Sequence, residues 1–260
     1  MLVDPALLSL KGKKGLVTGI ANSDSIAWGC AKAFRGLGAD LAVTYLNDKA
    51  RTYVEPLARE VEAQLLLPLD LRTEGQLEAV FERIAREWGR LDFLLHSIAF
   101  ALRADLHGRV VDCSRDGFLV AMDISCHSFI RMARLAEPLM KDGGTLLTMT
   151  YLGSTQVVEN YNMMGPVKAA LEAATRYMAA ELGPKGIRLH AVSPGPLKTR
   201  AASGLPDFDE LLNKAAAKAP MRALIGIDEV GVATAMLATD AAKLVTGHTV
   251  FLDGGYHIID

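Results

Sequence analysis

The sequence predicts an α/β fold: a single-domain, Rossmann-like doubly wound parallel sheet of about seven strands with helices on both faces. Three observations predict it. Short apolar runs alternate with longer helical patterns from one end of the chain to the other. Those runs are continuously apolar, as strands covered on both faces should be. No Pro- or Ser-rich linker, internal repeat or low-complexity segment interrupts the alternation, so one domain is expected over residues 1–260.

The strands are read at "KGLVT" (14–18), "DLAVTY" (40–45), "LLLPL" (65–69), "LDFLLHS" (91–97), "GTLLTMT" (144–150), "IRLHAVS" (187–193) and "HTVFL" (248–252). Helical periodicity runs over 25–38, 73–88, 114–139, 160–182 and 228–239. Repeated strand–helix units call for right-handed crossovers and three layers.

Composition excludes several classes of function. Half of the 260 residues are hydrophobic and 22% are charged, with a formal net charge of −2 and no run of Lys or Arg, which argues against nucleic acid as a partner. Cys30, Cys113 and Cys126 are far apart and lack any CxxC pairing, so neither a disulfide framework nor a metal site is expected. The first residues place their basic side chains after the apolar run, the wrong order for a signal peptide, and no apolar run approaches a membrane span. A soluble cytoplasmic protein is expected.

The first strand is followed by "TGIANSDSIAWG", at the turn where open α/β sheets bind nucleotides. Gly19 permits a tight turn, Ser25 is placed as an N-cap, and Ala27 and Gly29 let the helix sit close to the sheet, its N–H groups facing a pyrophosphate. The usual G-x-G-x-x-G is absent, and a plain strand-to-helix loop accounts for the same residues. At the end of the second strand, where an acid would hold the ribose of NAD, stand Leu46 and Asn47; Asp48 comes late and can cap the next helix. Lys49 and Arg51 read as solvated helix charges, so NADH and NADPH are not separated here. Asp70, after the third strand, is placed for an adenine edge or, equally, as the N-cap of a helix starting near Thr73.

Tyr161 and Lys168 fall near the start of one helical pattern. Seven residues make almost two turns, so both would leave the same face about 10 Å apart along the axis. A lysine there can bind the hydroxyls of a nicotinamide ribose and lower the pKa of a phenol from its usual value near 10. A partly buried tyrosine beside a solvated lysine is the bland alternative.

Tyr-x6-Lys after the fifth strand, "SPGPLKT" (193–199) after the sixth and "TGHTVFLDGG" (246–255) near the end resemble the short-chain dehydrogenase/reductase superfamily across nearly the whole chain. The Gly-x5-Ser-Ile-Ala turn, "HSIAFA" (96–101), "TYLGS" and "YNMMGPVKAALEAATRYMA" narrow the likeness to NADH-dependent bacterial enoyl-acyl-carrier-protein reductases. That resemblance implies hydride transfer from NADH, with NADPH not excluded, to the β-carbon of a trans-2-enoyl thioester in fatty acid biosynthesis. Tyr161 would meet the enolate oxygen, Lys168 would hold the cofactor ribose, and Tyr151 would line the acyl pocket. Gly19, Ser25, Ile26, Leu46, Asp70, Leu71, Ser97, Ile98, Ala99, Leu197 and Thr199 would contact the cofactor. Ala101, with Tyr151 and Tyr161, would border the substrate. Leu46 departs from the glutamine common in members that use NADH. Residues 198–216 match a mobile substrate-binding segment. The thioester would be carried by acyl-carrier protein or coenzyme A, and a homotetramer is implied.

The sequence leaves two rivals. A carbonyl-reducing relative would place a polarising hydroxyl 12 or 13 residues before the tyrosine, and Thr148 stands 13 before Tyr161. A silent dinucleotide-binding scaffold would be expected to have lost the Tyr/Lys pair.

Overall fold

The computed structural model describes residues 4–197 and 208–259. Its seven strands are β1 (Lys14–Thr18), β2 (Asp40–Tyr45), β3 (Leu65–Pro68), β4 (Phe93–His96), β5 (Gly144–Met149), β6 (Ile187–Pro194) and β7 (His248–Leu252). They form one parallel sheet in the order β3-β2-β1-β4-β5-β6-β7. Every expected strand is present to within two residues at either end.

The helices are α1 (Ile26–Gly36), α2 (Asp48–Glu60), α3 (Gln76–Trp88), α4 (Arg103–Leu106), α5 (Arg115–Met122), α6 (Ser128–Ala136), α7 (Met164–Leu182), α8 (Phe208–Lys218) and α9 (Ile227–Ala238). A π-helical turn, Asp123–His127, joins α5 to α6, so the expected 114–139 helix is continuous but locally widened. The periodicity does not single out α2: Pro56 interrupts it, and only Val54 and Ala58 are buried. Asn47, rather than Asp48, caps α2, accepting from the N–H of Ala50 at 2.9 Å.

Alternate residues of each strand point to opposite faces, which gives two cores. Leu16, Leu94, Leu146 and Leu189 pack on one face with α3, α5, α6 and α7. Val17, Leu95, Leu147 and Val192 pack on the other with α1, α2 and α9. On that second face α1 and α9 approach to backbone distance. A Cβ on Gly29 would lie 2.1 Å from the Ile227 carbonyl oxygen, and one on Gly231 would lie 2.2 Å from that of Gly29. Gly29 therefore serves the contact with α9, where the sequence suggests the sheet.

The sheet order reverses direction between β1 and β4. Crossovers leave this point to opposite faces and open a crevice at the carboxyl ends of the two strands, where ligands of such folds bind.

Candidate active site

The carboxyl ends of β1 and β4 meet at Gly19 and Ser97. Gly19 has φ +95, and a Cβ on it would lie 2.0 Å from the Ser97 carbonyl oxygen. Only glycine fits both the left-handed conformation and the close approach. Thr18 reinforces the junction by donating its hydroxyl to the Leu95 carbonyl at 2.9 Å. Ser97 and Ile98 are half-buried and Ala99 is exposed. The backbone of the following residue, Phe100, is held by Ser125 of the π-helical turn, whose hydroxyl accepts from the Phe100 N–H and donates to its carbonyl. Ala101, half-buried, follows at once and packs against the core under α5–α7.

Ser25 occupies the N-cap position of α1, but its side chain does not cap the helix. The hydroxyl turns back into the loop, accepting from the N–H groups of Ala21 and Asn22 and donating to the Asn22 side chain. This corrects the N-cap expectation. Ser25 folds the loop and no side chain caps the first turn of α1, so its N–H groups suit an anion. Ile26 is half-buried at the start of that turn.

Leu46 is exposed at the end of β2, and Leu71 is buried after β3. Asp70 does not cap α3, whose N-cap is Gly75. Its carboxylate is gripped by Arg72, with Nε 3.0 Å from one oxygen and Nη2 2.8 Å from the other, and these bonds hold its pKa below the usual carboxylate value. The Arg72 guanidinium also lies over the Phe100 ring, 5.8 Å from its centroid. Leu197 is buried in the core beneath α1 and α9. Thr199 and most of the 198–216 segment lie outside the described residues.

Tyr161 is not on a helix. It stands in the turn before α7, flanked by Asn160 and Asn162, both with positive φ, and Asn162 ties the turn to the Leu106 carbonyl at 2.9 Å. Spacing along a helix therefore does not relate it to Lys168. Its ring meets that of Tyr151 edge-on, centroids 4.9 Å apart, and packs over Gly153. Burial, followed by the Tyr151 and Glu172 charges, pushes the Tyr161 phenol far above its usual range. Lowering of that pKa by Lys168 is thus overturned: the phenol keeps its proton and is a hydrogen-bond donor. Burial also lifts Tyr151 to about 12, aided by Tyr256 and Asp253. Asp253 is itself fixed in the turn after β7 by the N–H groups of Gly255 and His257.

Lys168, on the first turns of α7, is 5% exposed and donates to the Met149 carbonyl at 2.7 Å. An ammonium carries three donors, so this bond anchors the side chain and leaves others for a ligand. Burial lowers its pKa to about 8, opposed by Cys126 and Glu172.

Thr148 is committed elsewhere. Its hydroxyl is fully buried, 2.9 Å from Nδ1 of His96, while His96 Nε2 lies 2.8 Å from the Ser128 hydroxyl. Ser128 donates to the Ile124 carbonyl, so it accepts from Nε2–H, and Nδ1 accepts from Thr148. A hydroxyl donated into this chain cannot polarise a substrate carbonyl.

The family model described as Enoyl-(Acyl carrier protein) reductase matches residues 19–257. The chain belongs to that family. Within it, the enoyl-(acyl-carrier-protein) reductase (NADH) 2 of Rhizobium meliloti is 45% identical over 249 residues, covering 96% of this chain and 93% of the relative. The Bacillus cereus FabI, named as an NADH enoyl-(acyl-carrier-protein) reductase, is 45% identical over 96% of this chain and 98% of its own. Among solved structures, the Anaplasma phagocytophilum reductase in complex with NAD superposes with a TM-score of 0.92 at 43% identity, over 96% of this chain and 95% of that one. The Bacillus cereus reductase with NADP+ and indole naphthyridinone gives 0.94 at 45%, over 96% and 98%.

Sequence reasoning missed the buried polar groups that hold the candidate site. Glu172 is 5% exposed and accepts from the Thr150 hydroxyl at 2.6 Å. The available signal was an acid four residues after Lys168, on the face of α7 that the apolar positions mark as buried. His96, Ser125 and Ser128 carried no such signal.

Proposed function

We propose that this chain is an NADH-dependent enoyl-acyl-carrier-protein reductase. The observation that carries the reading is the pair of protonated phenols, Tyr151 and Tyr161, in edge-to-face contact just after β5, whose last residue, Met149, anchors the buried Lys168, with the Thr148 hydroxyl bonded to His96.

A dinucleotide fits the residues present: the Gly19 turn leaves no room for a Cβ, no side chain caps the first turn of α1, and Lys168 has spare donors. Gly19, Ser25 and Ile26 would hold the pyrophosphate end, with Leu46, Asp70 and Leu71 around the adenosine and Ser97, Ile98, Ala99, Leu197 and Thr199 toward the nicotinamide. Asp70 would serve through its backbone and the Asp70–Arg72 pair rather than as a free carboxylate. Bound NADH supplies the hydride that reduces the enoyl β-carbon. Tyr161 donates its phenolic hydrogen to the thioester oxygen as negative charge grows there, a stabilisation of about 3 kcal/mol for one well-placed donor. Lys168 holds the ribose and sets the cofactor against the substrate. Tyr151 and Ala101 border the acyl chain, and residues 198–216 belong to the substrate-binding segment.

The thioester is carried by acyl-carrier protein, the step belongs to fatty acid biosynthesis, and the enzyme works in the cytoplasm. Among the described residues no helix is long and apolar enough to cross a membrane. We also propose a homotetramer, supported by exposed apolar residues on two long helices: Tyr177 on α7, and Val232 and Met236 on α9. Light scattering should give about four times the 27.9 kDa chain mass.

The deciding experiment compares crotonyl and acetoacetyl thioesters, each with NADH and with NADPH. Faster reduction of the crotonyl thioester with NADH supports the reading. Reduction of the ketone alone would sink it.

A further inference from the structure

Two buried side chains of α7 hold consecutive residues at the end of β5. Lys168 donates to the Met149 carbonyl at 2.7 Å, and Glu172, one helical turn later, accepts from the Thr150 hydroxyl at 2.6 Å. Lys168, Glu172 and Thr150 are each 5% exposed. The next residue in the chain is Tyr151. Burying a carboxyl group here is costly unless it is hydrogen-bonded; the Thr150 hydroxyl supplies that bond, and Lys168 on the same helix lies within electrostatic reach.

We propose that Glu172 is a positioning residue of the site: it keeps the Lys168 ammonium charged inside apolar surroundings and pins the strand end that carries Tyr151. The inference rests on the role of Lys168 proposed above. Three titratable groups lie within electrostatic reach of Lys168. Cys126 acts on it from the π-helical turn, His96 from β4, and Glu172 from its own helix. The Cys126 thiol is raised by burial and keeps its proton at neutral pH, and His96 is held neutral by burial and by Lys168 itself. Tyr161 keeps its phenolic proton. Glu172 is the acidic group whose influence raises the proton affinity of Lys168. Thr150, whose backbone is already fixed to β6 through the Val192 carbonyl, orients that carboxyl group at 2.6 Å.

The test is NADH binding to the full-length protein, followed by fluorescence from about pH 6 to about pH 9. Affinity should fall on the alkaline side as Lys168 loses its proton. Glu172→Gln removes the charge that raises the lysine pKa, so the alkaline midpoint should move down by about one pH unit. Binding near the wild-type midpoint should weaken several-fold. Cys126→Ser should leave the midpoint in place. An unmoved midpoint in a Glu172→Gln protein of normal thermal stability overturns the proposal, as does a midpoint that moves with Cys126→Ser instead. If Glu172→Gln fails to fold, Glu172→Asp, which keeps the charge but draws it back, is read the same way, with a smaller downward move. Lys168→Met separates the two readings: unchanged NADH binding there would reject the ribose role of Lys168, whereas weakened binding with an unmoved Glu172→Gln midpoint rejects only the coupling.

Discussion

The rings of Tyr151 and Tyr161 meet edge to face with centroids 4.9 Å apart, one from the end of β5 and the other from the turn before α7. Each phenol sits where ionisation is unfavourable, and the charge of one would raise the proton affinity of the other. The pair is therefore protonated at working pH. A protonated phenol can donate to an oxygen gaining negative charge, which a phenolate cannot.

Tyr161→Phe removes that donor and little else. We expect kcat/KM for an enoyl thioester to fall about 10²- to 10³-fold while NADH affinity stays near wild type. Steady-state kinetics beside a fluorescence binding assay checks it. Full activity in the variant would remove Tyr161 from the chemistry.

Gly153→Ala tests position rather than chemistry. The added Cβ would lie 2.3 Å from Cδ1 of the Tyr161 ring, so the ring must shift although its hydroxyl is kept. Displacement by a fraction of an ångström to 1 Å should cost roughly tenfold to a hundredfold in kcat. The thermal midpoint, measured in parallel, should move much less than the rate.

The sheet was legible because burial on both faces leaves continuous apolar runs, and all seven appear in the structure at their expected places. Less legible was anything decided by which way a side chain turns. Ser25 stands at the cap position yet bonds backward into its own loop, and Asp70 stands at the adenine end yet is taken by an arginine two residues on. Tyr161 and Lys168 share a helical period in sequence, but Asn160 and Asn162 bend the chain through positive φ on either side of the tyrosine, and α7 starts only at Met164. The partners of the His96 chain left no trace: Thr148, His96 and Ser128 come from three separate segments.

Thr148→Val separates the two reductase chemistries. Losing the hydroxyl leaves His96 Nδ1 buried without its donor, which should cost about 1–3 kcal/mol of stability. Because that hydroxyl is bonded away from substrate, the kcat of the folded variant on a crotonyl thioester should stay within a few-fold of wild type. Urea unfolding and kinetics on the same preparation check both halves. A large loss of kcat in a stable variant would return Thr148 to the catalytic group.

Two buried histidines make the fold sensitive to acid. His96 is held to about 3 and His190 to about 4, both chiefly by burial, against an ordinary value near 6.5. Because the folded values are depressed, the unfolded chain binds more protons below about pH 6.5. Stability is therefore complete above that pH and falls as the pH drops toward the folded values. The two residues differ in what holds them. His96 has a partner at each ring nitrogen, whereas neither nitrogen of His190 has one among the described residues. His190→Leu thus breaks no hydrogen bond and removes one proton-binding group from the unfolded side of the balance. Between pH 7 and pH 5 it should spare the protein about 2 kcal/mol of acid destabilisation, and at pH 7 it should be neutral or stabilising. Carboxylates titrate alike in both proteins, so the difference between their urea midpoints at the two pH values isolates the histidine. Equal losses of stability in variant and wild type would show that His190 is protonated as easily folded as unfolded.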